Sequence, residues 1–109
     1  MSPLPNRLDL DLRKIEDYCL NPDHPRGRHK ARVFREALGI GRSDAAWLRS
    51  TLLSVTSGDD AVHLDVDAFG QRWRIDVNVT RQERRAVIRT VWIQRSNEDF
   101  ARFVTCWVL

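Results

Sequence analysis

Near residue 60 the spacing of the apolar side chains changes from three-and-four to two. That switch confines the chain to helices before it and strands after it. Asp11 is placed to cap a helix over residues 12–20, with Leu12, Ile15 and Cys19 on one face. Asn21-Pro22 stops it, and a loop runs through Pro25 and Gly27. The pattern predicts a second helix from about Arg28 to Leu38, with Ala31, Phe34 and Leu38 as its stripe and Gly39 as its C-terminal cap. Ser43 is a suitable N-cap for a third helix over 44–56, where Leu48, Leu52 and Val55 form the stripe beside Trp47.

Beyond Ser57-Gly58-Asp59-Asp60 the residues alternate. Val62, Leu64 and Val66 read as the buried side of a strand, with His63, Asp65 and Asp67 outward. A turn at Phe69-Gly70-Gln71 leads to a strand with Trp73, Ile75, Val77 and Val79 on one side. A third strand, 85–94, is apolar on both faces and therefore central, and a last one spans about 102–108. Short turns make successive strands antiparallel. The predicted fold class is α+β: three N-terminal helices followed by a four-stranded antiparallel β-meander. With 109 residues the chain is one domain, 1–109, too short for two.

Composition narrows the function classes. No stretch has the apolar length of a membrane span, and Met1-Ser2-Pro3-Leu4-Pro5 lacks a basic, then apolar, leader. The expected location is cytoplasmic. Cys19 and Cys106 sit in apolar surroundings, which suits buried reduced thiols better than a disulfide or a metal pair, and no zinc site is expected. The net charge of +3 is carried almost wholly by arginine, the lysines being Lys14 and Lys30. That balance is compatible with a phosphate-bearing partner.

The most informative segment is Asn21-Pro-Asp-His-Pro-Arg-Gly-Arg-His-Lys30, which gathers Arg26, Arg28, His29 and Lys30 where a loop enters a helix. The helix dipole disfavours cations there and its unpaired N–H groups favour anions, so the cluster suits a phosphate. Otherwise these side chains fan into water or pair with Asp23, Asp59 or Asp60. His29 is the best acid–base candidate, with His24 in the same loop. On the sheet, Arg72, Arg74 and Asn78 share a face. Phe103, Thr105 and Trp107 alternate with Val104, Cys106 and Val108, and the sequence leaves open which set is buried. Thr105 and Trp107 beside arginines would suit single-stranded RNA. Asp65, Asp67 and Asp76 supply a third reading, a metal-dependent hydrolase.

The string Leu20-Asn-Pro-Asp-His-Pro-Arg-Gly-Arg-His-Lys-Ala-Arg-Val-Phe34, followed by Ala37-Leu38-Gly39, resembles the core motif of a bacterial family of small domains without an assigned activity. Leu4-Pro5-Asn6, Tyr18 to Pro22, Phe69 to Gln71, Trp92-Ile93 and Thr105-Cys106-Trp107-Val108 extend the resemblance along the chain. It implies polymorphic-toxin or toxin–antitoxin contexts and a cognate antitoxin or immunity protein as partner. The element order is similar, at the level of fold alone, to barnase, EndoU, colicin and RelE-type ribonucleases. That analogy implies a metal-independent endoribonuclease needing no cofactor. Its catalytic set is His29 as acid or base, Lys30 as charge stabiliser and Thr105 as orienting hydroxyl, with Arg26, Arg28, Arg74 and Trp107 contacting RNA. The rival reading is a non-catalytic RNA- or protein-binding module, such as the neutralising half of such a pair.

Overall fold

A computed structural model describes residues 4–109. Residues 1–3, part of the stretch from which the expectation of no leader is drawn, lie outside them. The elements run β1 (Leu8–Asp9), α1 (Leu12–Lys14) continuing as a π-helical segment (Ile15–Cys19), α2 (Arg28–Leu38), α3 (Ala45–Val55), β2 (Val62–Asp67), β3 (Gly70–Arg81), β4 (Arg84–Arg95) and β5 (Ala101–Val108). No described helix is long and apolar enough to cross a membrane.

The fold class is mixed α+β, but two parts of the expectation are corrected. The sheet has five strands in the order β1-β5-β4-β3-β2 and is mixed, because β1 pairs parallel with β5. A strand also precedes the helices, so they do not open the chain. Two paired residues, Leu8 with Ala101 and Asp9 with Arg102, are too few to leave a periodic signal, and their partner lies at the other end of the sequence. The remaining neighbours, β2–β3, β3–β4 and β4–β5, are antiparallel, and β4 is the middle strand. Where β1 stops, the Lys14 ammonium donates to the Phe103 carbonyl at 2.7 Å, covering part of the open edge of β5.

One face of the sheet carries the core. Ala31, Phe34 and Leu38 of α2 and Ala45, Leu48 and Leu52 of α3 pack toward Ile75, Val77, Val79, Ile88, Trp92, Phe103 and Cys106. Gly39 ends α2 at φ 68°, a left-handed cap that glycine adopts without strain. Ser43 does not cap α3. The carboxylate of Asp44 does the local work, accepting from the Gly41 amide at 2.9 Å and pairing with Arg81 at 3.1 Å. Val55 is exposed rather than part of the stripe.

The alternation of β2 is also corrected. Val62, Leu64 and Val66 are 44%, 46% and 66% exposed, whereas His63 turns onto the edge of buried Trp73. β2 is an edge strand with a bulge between His63 and Asp65, so its apolar positions lie beyond the cover of the helices. A second bulge, at Val91/Trp92 opposite β5, settles the face of the last strand. Phe103 and Cys106, three residues apart, are both buried, and Thr105 and Trp107 are half-buried on the other side. A regular strand would put an odd spacing on opposite faces, so the extra residue is what brings both into the core.

Thr90 is a fully buried polar residue in this core. Its hydroxyl donates to the Ile75 carbonyl at 2.8 Å and accepts from Trp92 Nε1 at 2.8 Å. Thr90→Val keeps the shape and strands the indole N–H in an apolar interior, which should cost about 1–3 kcal/mol. Thr90→Ser retains the acceptor and should cost less. Denaturant unfolding of the two variants measures the difference, and a Val variant as stable as the parent would contradict this role.

Candidate functional site

The site begins with the π-helical turn. Widening the helix at Ile15–Cys19 closes the Leu20 N–H onto the Ile15 carbonyl at 2.9 Å. It buries Cys19 and leaves its neighbour Tyr18 half-exposed, facing the start of α2. The loop that follows is pinned by His24. Its Nδ1 accepts from the amides of Arg26 and Gly27, both at 3.0 Å, and its ring stacks on Tyr18 with centroids 4.7 Å apart. Gly27 passes so close to the Tyr18 carbonyl that a Cβ there would lie 2.1 Å from the oxygen, so only glycine fits. The Pro/Gly loop therefore has a structural account in His24 and Gly27: together they bring α2 in at a fixed position against Tyr18.

Lys30, in the first turn of α2, then meets β5. Its Nζ donates to Thr105 Oγ1 at 3.0 Å and to the Tyr18 hydroxyl at 3.2 Å. The ammonium also lies 4.7 Å from the Tyr18 ring centroid and 5.4 Å from that of Trp107. Among the described residues no carboxylate comes within ion-pair distance of Lys30, and every ion pair formed there uses an arginine. A half-buried cation is thus held by two neutral hydroxyls and two aromatic rings, with a third N–H left to donate. Such a group is oriented for an anion before the anion arrives.

Beneath Lys30 lies a thiol pair. Cys19 and Cys106 are both buried and reduced. Cys19 Sγ lies 3.9 Å from Thr105 Oγ1. The hydrogen bond from Cys106 brings the Cys19 thiol down to about 7, with Thr105 and the Lys30 charge acting in the same direction. Cys106 is pushed up, because it gives that hydrogen bond and is fully buried beside Cys19.

Of the expected catalytic set, Lys30 and Thr105 are in contact and His29 is adjacent to them. A groove of about 440 Å³ is lined by His29, Lys30, Val33, Trp107 and Val108. A second groove, of about 490 Å³, lies on the other flank of His29 and includes Arg28 among its walls. His29 is exposed and borders both. Arg26 is exposed in the loop, outside either groove. Arg74 lies on the cross-strand row Arg74–Val91–Thr105, two strand spacings or about 10 Å from Thr105, and does not join the cluster. Arg72 is held by Asp67 at 2.8 Å and Asp65 at 3.6 Å, and Asp76 pairs with Arg89 through both oxygens. Those three carboxylates are satisfied by arginines, and no group of three or more metal-ligating side chains converges among the described residues. Sequence reasoning missed Tyr18 as a partner of Lys30, although its place in the Tyr-x-Leu-Asn-Pro string was a usable signal. The meeting of Cys19 with Cys106 had none.

A family model described as a domain of unknown function, DUF6883, matches residues 3–109. Neither a curated protein nor a solved structure matches the chain.

Proposed function

Taking as premise that the chain belongs to the DUF6883 family, we propose that it acts on RNA as a metal-independent endoribonuclease of the bacterial toxin kind. The observation that carries this reading is Lys30: a half-buried ammonium without a carboxylate, held by Thr105 and Tyr18 at the wall of a groove that also exposes His29 and Trp107. In this reading a phosphodiester lies in the groove with a non-bridging oxygen on the free N–H of Lys30. His29 takes the proton of the ribose 2′-OH as that oxygen attacks phosphorus. The bond to the 5′-oxygen breaks, water in the open groove protonates the leaving oxygen, and a 2′,3′-cyclic phosphate remains. Lys30 offsets the charge that builds on phosphorus, and Thr105 and Tyr18 are positioning residues that hold its ammonium. Trp107 offers a stacking plane to a neighbouring base. No step draws on Asp65, Asp67 or Asp76, which are taken up by Arg72 and Arg89. A cytoplasmic nuclease of this kind implies a cognate antitoxin or immunity protein.

One observation favours the rival, a non-catalytic RNA- or protein-binding module. The His29 ring makes no hydrogen bond among the described residues, so nothing orients it as a dedicated base. Incubating the purified chain with RNA in the presence of a chelator separates the two. Cleavage to 2′,3′-cyclic ends, together with growth arrest on induction that a neighbouring gene relieves, is expected. RNA that is bound and stays intact would establish the binding module instead.

A further inference from the structure

The second groove, on the far flank of His29, has a consistent chemistry of its own. Its walls include Leu20, Pro22, Arg28, Arg32, Arg35 and Gly41. Arg28, Arg32 and Arg35 fall at i, i+4 and i+7 of α2 and all are exposed. Like charges at these spacings repel one another and weaken a helix. Yet none of the three comes within ion-pair distance of a carboxylate among the described residues, while six other arginines do. The first turn of α2 contains no acidic residue, and Gly27 supplies no side-chain cap. Arg35 is seated over Gly41, where a Cβ would lie 2.9 Å from its guanidinium, so the backbone opposite leaves room for it. The floor under these cations is apolar, formed by buried Leu20 and Ala31.

The two grooves are joined at His29, which borders both. The rise from Arg28 to Arg32 along the axis is about 6 Å, and from Arg32 to Arg35 about 4.5 Å. Guanidinium groups in such a row suit a repeating phosphate better than a single anion, because each fork can hold two oxygens. We propose that a single strand of RNA crosses α2 at the His29 rim, passing from the groove at Lys30 to the groove on the other flank, with one phosphate at Lys30 and the phosphates beyond the rim on Arg28, Arg32 and Arg35. This rests on the RNA reading above and gives it a direction. The reacting phosphate sits at the junction beside His29, and the arginine row holds the chain on one side of it. The ligand class is therefore an unpaired polynucleotide longer than a dinucleotide. A folded duplex, with its phosphates spread over a wide surface, would meet only part of the row.

Anisotropy titrations with a 2′-O-methyl RNA of about 12 nucleotides, which 2′-OH attack cannot cleave, test this over a salt series. Arg32→Ala/Arg35→Ala should bind the oligonucleotide tenfold or more weakly than the parent. Its dependence of log affinity on log salt should be shallower by about 1.4, near 0.7 for each single-strand phosphate that an arginine no longer neutralises. Binding of a dinucleotide, which reaches only Lys30, should be unchanged. The thermal midpoint should hold or rise, since alanine favours the helix and repulsion is relieved. A double variant that binds the oligonucleotide as the parent does, while Lys30→Met binds it poorly, would overturn the arginine track and leave the RNA reading standing. A parent that binds no RNA at low salt would overturn both. Polyglutamate bound as tightly as RNA, and released by the double variant, would assign the row to an acidic protein and overturn the proposal.

Discussion

Lys30→Met is expected to reduce RNA cleavage by about a hundredfold or more while the protein stays folded. The methionine keeps the unbranched stem that packs between Tyr18 and Trp107 and deletes only the ammonium. Loss of one preorganised charge-stabilising donor typically costs 10²–10³ in rate, or about 3–4 kcal/mol of transition-state stabilisation. Two effects on stability oppose each other. The bonds from Nζ to Thr105 and Tyr18 disappear, but so does a partly desolvated charge that no carboxylate compensates. Lys30→Arg should not rescue activity. A planar fork cannot direct one N–H to each hydroxyl and a third into the groove from a space shaped for a compact ammonium. Single-turnover cleavage of a labelled oligoribonucleotide, paired with a thermal melt of each variant, gives the result. A Met variant that melts like the parent and cleaves within a few-fold of it would remove Lys30 from the mechanism.

The chain shows how far residue patterns reach into such a site. The three helices were legible because each carries local information. Asp11 caps α1 through the Arg13 amide, Phe34 and Leu38 mark the buried side of α2, and Gly39 closes it. Lys30 and Thr105 were legible as candidates by chemistry, since cations at a helix start are locally unfavourable and ask for a reason. Their contact, across 75 residues, was not. It depends on the bulge at Val91/Trp92, which decides that Thr105 and Trp107 leave the core while Phe103 and Cys106 enter it. A bulge adds a residue without changing the alternation on either side, so periodicity alone cannot place it. β1 escaped for a related reason: its partner is remote and its two residues carry no period. The apolar residues of β2 read as core because alternation reports amphipathicity and not whether a helix lies above it. Arg32 and Arg35 belong to the opposite case. Their spacing from Arg28 was in plain view, and its meaning emerged only with the groove and with the finding that none of the three forms an ion pair among the described residues.

His29→Ala should separate chemistry from binding, and it carries the second large effect. Consecutive helical residues diverge by about 100° around the axis, so His29 and Lys30 reach their common groove from different angles. Lys30 turns inward to Thr105, and His29 stands at the rim shared by the two grooves. Removing a general base there typically costs about a hundredfold or more in the chemical step. The ring is exposed and not hydrogen-bonded to the scaffold. RNA affinity should therefore stay within about threefold of the parent, a smaller change than removing a charge-assisted hydrogen bond brings. His24 cannot substitute, because its Nδ1 already accepts two backbone N–H groups and its ring is stacked on Tyr18. His24→Ala should instead lower thermal stability by loosening the loop that positions α2. The decisive comparison is the cleavage rate at saturating RNA against the dissociation constant for the 2′-O-methyl analogue. A rate that falls while affinity holds assigns His29 to proton transfer. If the rate and the affinity of His29→Ala both match the parent, proton transfer at this site has no side chain behind it. The groove at Lys30 would then serve to hold RNA and not to cut it.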